Sequence, residues 1–263
     1  LTEPTPLADE SPVARAVSAS VLAEVASGRL EQLDAPDLLR WGIACFHPRL
    51  VLSCSFGAPE GLVLLDLMQR IEPRSRVFLL DTGRLPQATH DLVDRVRDRY
   101  GVSVEVVLPD ARAVQDMVRR QGQNLFYESV ENRQWCCRLR KVEPMQRYFA
   151  EAGIDAWVAG LRREQSVTRR DAPKVEIDVV HGGRIKINPL ADWSEEQVWA
   201  YVRENNVPVN RLHREGYPSV GCDPCSRAVQ PGEDIRAGRW WWESAETREC
   251  GIHVGEEKDG SGI

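Results

Sequence analysis

Residues 49–83 read RLVLSCSFGAPEGLVLLDLMQRIEPRSRVFLLDTG, and their reading decides the fold. "RLVLSCS" is a short run of branched apolar residues closed by small polar ones, the pattern of a buried strand. Pro59 then opens a helical stretch over 59–71, at a position where a missing N–H costs nothing. "RVFLLD", at 76–81, is apolar again and ends in a turn. Strand, helix and strand in immediate succession make a βαβ unit, which sets its strands parallel.

The same rhythm runs outward. A helix is predicted over 86–100, a strand in "VSVEVV", a helix over 138–152 and a strand in "AWVAG". Upstream, helices are expected over 13–27 and 35–46, the second capped by Asp34 and stopped before Pro48. "VEIDVVHGGRIKINPL" departs from the pattern and predicts a hairpin turning at Gly182-Gly183. "WSEEQVWAYVRENN" predicts a helix capped by Ser194, with Glu196 and Gln197 in its first turn. Beyond about residue 210 periodicity is lost, and a flexible tail is expected at "GEEKDGSGI". The prediction is an α/β fold with a mainly parallel sheet flanked by helices. It has three parts: an N-terminal helical segment, 1–48, packed on the core; an α/β domain, 49–210; and a C-terminal segment, 211–263.

Composition bounds the function. With 263 residues, 42% of them hydrophobic and 28% charged, the chain can bury a substantial core. Neither a membrane-length apolar run nor a signal peptide is legible, so a cytoplasmic location is expected. A formal net charge of −6 argues against a nucleic-acid coat protein. Basic residues nevertheless crowd 133–147, 162–174 and 236–248, which suits an anionic ligand.

In folds of this kind ligands lie beyond the carboxyl ends of the strands. Three loops fall there: "SCSFGAPEG" at 53–61, "DTGR" at 81–84 and "GLRREQSVTRR" at 160–170. The first offers backbone N–H groups and a helix start to an anion. The third carries Arg162, Arg163, Arg169 and Arg170.

Seven cysteines, an odd count, do not form a disulfide framework in a chain expected inside the cell. Cys45 and Cys54 sit in apolar contexts and read as core residues. Cys222 and Cys225 form a C-x-x-C in "VGCDPCSR", and Cys136 and Cys137 are neighbours in "QWCCRLRK". Four thiolates suffice for tetrahedral zinc or for a [4Fe-4S] cluster. An adjacent pair is awkward around one small ion and easier on a body that spreads its irons apart. Cys250 stands apart in "TRECGIHVG", where Arg248 and His253 can favour its thiolate.

Taken together these motifs resemble the assimilatory adenylyl-sulfate (APS) reductases, a branch of the wider PAPS reductase family. "SCSFGAPEG", "LLDTGRLPQAT" and "GLRREQSVTR" are similar to that family's nucleotide and substrate loops. "CCRLRKVEP" and "CDPC" resemble its cluster pairs, and "ECGIH" its catalytic motif. The resemblance covers about residues 50–253. It implies the adenine nucleotide alpha-hydrolase fold, with 49–210 as the nucleotide-binding domain. It further implies a [4Fe-4S] cluster on Cys136, Cys137, Cys222 and Cys225, and Cys250 as nucleophile. Substrate contacts are implied at Lys141, Arg163, Arg169, Arg236, Arg239, Ser53, Ser55, Gly57, Asp81, Thr82, Gly83, Arg84, Gly160 and His253. The implied reaction reduces APS to sulfite and AMP through an S-sulfocysteine, with thioredoxin as electron donor. Oligomeric state stays open. The loop lacks the second Gly and the acidic residue of ATP-pyrophosphatase relatives, placing Phe56-Gly57-Ala58-Pro59 there. The alternatives are a PAPS reductase, an ATP-dependent tRNA-thiolating enzyme and a nucleotide-binding protein with structural zinc.

Overall fold

The computed structural model describes residues 17–166, 169–234, 236–244 and 252. Its centre is a six-stranded sheet in the order β3-β2-β1-β4-β6-β5. The strands are β1 Leu50–Ser53, β2 Arg76–Leu80, β3 Val104–Val107, β4 Ala156–Ala159, β5 Val175–Asp178 and β6 Arg184–Ile187. All pairings are parallel except β5 with β6. The mainly parallel sheet predicted from the βαβ rhythm is therefore present. The chain leaves β1 towards β2 and β3, then returns to place β4 on the other side of β1. That reversal makes the β1/β4 boundary the switch point of the sheet.

Helices cover both faces: α1 Ala19–Ala26, α2 Ala35–Phe46, α3 Pro59–Ile71, α4 Gln87–Tyr100, α5 Ala111–Gln121, α6 Val130–Cys137, α7 Glu143–Glu151 and α8 Glu195–Glu204. Strand alternation sorts the core, because successive side chains point to opposite faces. Leu50, Leu52, Leu79, Ala156 and Val158 pack with residues of α2, α3 and α8, while Val51, Phe78 and Trp157 pack with Met145 and Phe149 of α7. Parts of the N-terminal segment lie in this core: Leu38 and Leu39 are fully buried with Leu62 and Leu64 of α3.

Local chemistry accounts for the element ends. Asp34 accepts from the Asp37 N–H at 2.8 Å to start α2, and Ser194 accepts from Gln197 N–H at 3.1 Å to start α8. The hairpin turns where expected, with Gly182 and Gly183 at φ of 80° and 76°, values that glycine adopts without steric cost. The structure adds two helices that were not expected. α5 carries a narrow apolar stripe, Val114, Met117 and Val118, but buries only Met117, whereas α6 buries Arg133, Cys136 and Cys137 and has no such stripe. The helix expected over 138–152 runs on from α6 through a π-helical turn, Arg138–Val142, into α7. Cys45 is corrected: it lies exposed near the end of α2, where Gly42 and Phe46 are the residues turned into the core. Cys54 is buried, and burial pushes its thiol up to about 12. Residues 13–16 of the first expected helix and the expected tail lie outside the described residues.

Candidate functional site

A cleft opens at the carboxyl ends of β1, β2 and β4, with about 210 Å³ open to water centres. Ser53, Leu80 and Ala159, the last residues or near-last residues of those strands, line its floor. The loop after β1 is held from behind by the C-terminal segment. Phe56, with φ 54°, is a bulky residue in left-handed backbone, a conformation that costs of order 1–3 kcal/mol. Its ring is wholly buried and its carbonyl accepts from Asn210 Nδ2 at 3.0 Å. The Val220 N–H donates to Gly57 O at 3.0 Å. A Cβ on Gly57 would come within 2.2 Å of the Val220 carbonyl oxygen. Only glycine permits that approach.

The lining of the cleft is cationic. Lys141, Arg169, Arg236 and Arg239 line it, with Ser53, Ser55, Thr82, Gly160, Ser219 and Ile252. The guanidinium of Arg239 passes so close to Gly221 that a Cβ there would meet Nη2 at 2.2 Å. Arg239 donates to Ser219 Oγ at 3.2 Å and lies over the Trp240 ring at 4.7 Å. These contacts fix its direction. The buried carboxylate in the lining, Glu60, is paired with Arg162 at 2.8 Å, with both side chains about 5% exposed.

A second, small void adjoins the cleft. Cys136, Cys137, Cys222 and Cys225 all line it, with Arg84, Arg133, Arg140, Lys141 and Trp240 among the remaining walls. It leaves about 10 Å³ for water centres, room for one water at most. The helix explains why neighbouring cysteines share it. Arg133, Cys136, Cys137, Arg140 and Lys141 recur at i, i+3, i+4, i+7 and i+8, which is one helical face. Burial pushes the Cys225 thiol up to about 12, with the nearby Cys222 adding to it; burial raises Cys136 as well, against the pull of Arg140. Lys141 and Cys222 line both the void and the cleft. Thr82 joins them, with its Oγ1 3.2 Å from Cys222 Sγ and its carbonyl accepting from Arg140 Nη1 at 2.6 Å.

The donor set suits a thiolate-held metal group, and the ring of cations would balance its negative charge. Among the described residues no three His, Cys, Asp or Glu side chains converge as ligands of one metal ion. The four cysteines line one small void.

Other residues expected at the site stand elsewhere. Arg163 pairs with Glu31 and donates to Ala172 O at 2.9 Å; it does not line the cleft. Asp81 accepts from the Gly83 N–H at 2.9 Å and faces His90 at 3.1 Å, shaping its own loop. Gly83 supplies that turn with φ 69°. Arg84 lines the cysteine void, donates to Gln123 O at 2.6 Å and lies over Phe126. Gly57 serves as the close-contact point already described. Cys250 and His253 lie outside the described residues, although Ile252, between them in sequence, lines the cleft. Sequence reasoning did not single out Glu60, Gln165, Arg133 or Arg140. The last two were findable from the helical stripe, whereas Glu60 and Gln165 meet only through folding.

A mainly parallel sheet with a cationic cleft at its switch point defines an α/β protein built to hold an anionic, nucleotide-like ligand. Residues 49–228 match the phosphoadenosine phosphosulfate reductase domain, and the chain belongs to that family. It is 53% identical over 204 residues to adenosine 5'-phosphosulfate reductase of Allochromatium vinosum, covering 78% of each chain. It is 47% identical to the enzyme of that name from Burkholderia cepacia, over 90% of this chain and 92% of that one. The crystal structure of phosphoadenylyl-sulfate reductase from Candida auris, a phosphate complex, superposes with a TM-score of 0.68 at 31% identity, covering 82% of this chain and 100% of that one. The adenine nucleotide alpha-hydrolase type of fold expected from the motifs is thus the fold observed.

Proposed function

We propose that this chain reduces adenylyl sulfate to sulfite and AMP, with Cys250 as nucleophile. The observation that carries the reading is the cleft at the switch point, lined by Lys141, Arg169, Arg236 and Arg239 and sharing Lys141 and Cys222 with the four-cysteine void. The curated relatives named as APS reductases, at 47–53% identity, support the substrate.

The chemical difficulty is electrostatic, because a thiolate must approach a sulfur that already carries anionic oxygens. Cations fixed in a partly desolvated cleft offset that repulsion, and one such oriented donor is worth roughly 3–4 kcal/mol in the transition state. The Cys250 thiolate attacks the sulfonyl sulfur, and the S–O bond to AMP breaks with its electron pair on the phosphate oxygen. Cys250 is left as an S-sulfocysteine. A thiolate of a dithiol protein, thioredoxin in this reading, attacks Cys250 Sγ and expels sulfite with the electron pair of the S–S bond. Its second thiol then resolves the mixed disulfide, returning the Cys250 thiolate.

Cys136, Cys137, Cys222 and Cys225 would hold a [4Fe-4S] cluster. When bound, it supplies local charge and ties the α6 region to the C-terminal segment. The adjacency of Cys136 and Cys137 in the chain suits such a body, whose irons are spread apart, better than a single ion. Lys141 lines both spaces and would orient charge between them. Loading demands deprotonated thiols, a state that burial opposes and the surrounding cations only partly offset. The reading includes action in the cytoplasm.

Replacing Cys250 with Ser should abolish sulfite release while APS binding stays within a few-fold. In the wild type, APS without reductant should leave one sulfonate on Cys250, read by mass spectrometry of the intact chain and removed by thioredoxin. Full turnover by Cys250→Ser, or the sulfonate on another cysteine, overturns the assignment.

A further inference from the structure

Gln165 is the middle of a polar chain that ends on a cleft cation. Arg169 Nη1 donates to Gln165 Oε1 at 2.6 Å, and the Arg162 backbone N–H donates to the same oxygen at 3.1 Å. The other end of the amide, Nε2, donates to Glu60 Oε1 at 3.0 Å. That carboxylate oxygen also accepts from Arg162 Nε at 2.8 Å. An amide has one accepting and one donating end. A flipped Gln165 would set its NH₂ against two donors and its oxygen against a carboxylate. Glu60 and Arg162 therefore decide which way Gln165 points.

We propose that Gln165, oriented by Glu60, is a positioning residue that aims the Arg169 guanidinium at the anionic group of the bound sulfonucleotide. The inference rests on the function proposed above and adds a specific device to it. The division of labour has an electrostatic reason. Glu60 pairs ionically with Arg162, while the bond that Gln165 makes to Arg169 is neutral on its accepting side. The relay transmits direction without cancelling the charge that the ligand needs. A long guanidinium stem held in place before the ligand arrives loses less freedom on binding.

The test is a double-mutant cycle on the full chain. Dissociation constants for APS and for adenosine, which lacks the anion, are measured for the wild type, Gln165→Met, Arg169→Met and the double variant. Gln165→Met should weaken APS binding by about 10-fold, the scale of one hydrogen bond to a charged group, and leave adenosine binding unchanged. The double variant should bind APS no more weakly than Arg169→Met, because residues acting through one another are not additive. Gln165→Asn, too short to span both partners, should repeat the pattern with a polar side chain. Additive losses in the cycle, or equal losses for adenosine, overturn the positioning role. A wild type that binds adenosine but not APS instead overturns the underlying function.

Discussion

Replacing Glu243 with Gln probes what holds the C-terminal segment over the cysteine void. Glu243 meets Arg133 of α6 through two hydrogen bonds, Nε to Oε1 and Nη2 to Oε2, both 2.8 Å. The side chains are 1% and 2% exposed, and the guanidinium also lies over Trp240 at 5.0 Å. The substitution keeps volume and shape, so no cavity forms. What remains is a buried guanidinium that has lost its carboxylate and keeps its contact with Cys137; breaking a buried pair costs about 3–5 kcal/mol. Gln can still accept one N–H, which places the expectation near 3 kcal/mol. At roughly 2–4 °C per kcal/mol for a chain of this size, the melting temperature should fall by about 6–12 °C. Because the pair joins positions 110 residues apart, amide exchange in 236–244 should rise before the sheet opens. Exchanging both partners for apolar residues, Arg133→Met with Glu243→Leu, should recover most of the loss. A melting temperature within about 2 °C of wild type, with unchanged exchange, would mean that the pair counts for no more than a surface contact, and the reasoning fails.

Gly57→Ala should cost about 1–3 kcal/mol by driving the loop from the Val220 carbonyl, and APS affinity should fall with it; unchanged thermal unfolding and binding would contradict the close approach. The Arg76 hydrogen bonds, opposed by burial and helped by Tyr148, hold the Glu105 carboxyl below its usual value. A depressed acid stabilises above its unfolded pKa and loses that contribution as pH falls through the folded one. The stability gap between wild type and Glu105→Gln should accordingly be present at pH 6 and shrink below about pH 4 in denaturant titrations; a gap that widens in acid contradicts the sign. Cys137→Ala should lose iron, visible colour and turnover together and become sensitive to protease beyond about residue 210; iron content equal to wild type counts against the four-cysteine assignment.

The sequence alone determined the sheet and most of its helices, because local pattern carries that information. Continuous apolar runs mark β1, β2 and β4, and Asp34 and Ser194 announce the starts of α2 and α8. Both cysteine pairs were legible too, since adjacency and C-x-x-C spacing are properties of the chain itself. Tertiary structure decided the rest. Cys45 has apolar neighbours in sequence yet lies exposed, because at that end of α2 Gly42 and Phe46 take the core side. Arg163 and Arg169 share a basic loop, but Glu31 holds the first away while Gln165 turns the second into the cleft. Glu60 and Gln165 are 105 positions apart and become partners only when β1 and β4 lie side by side. Periodicity reports which side of an element is buried. Which charge meets which depends on contacts between distant segments, and those exist only after the sheet has closed around its switch point.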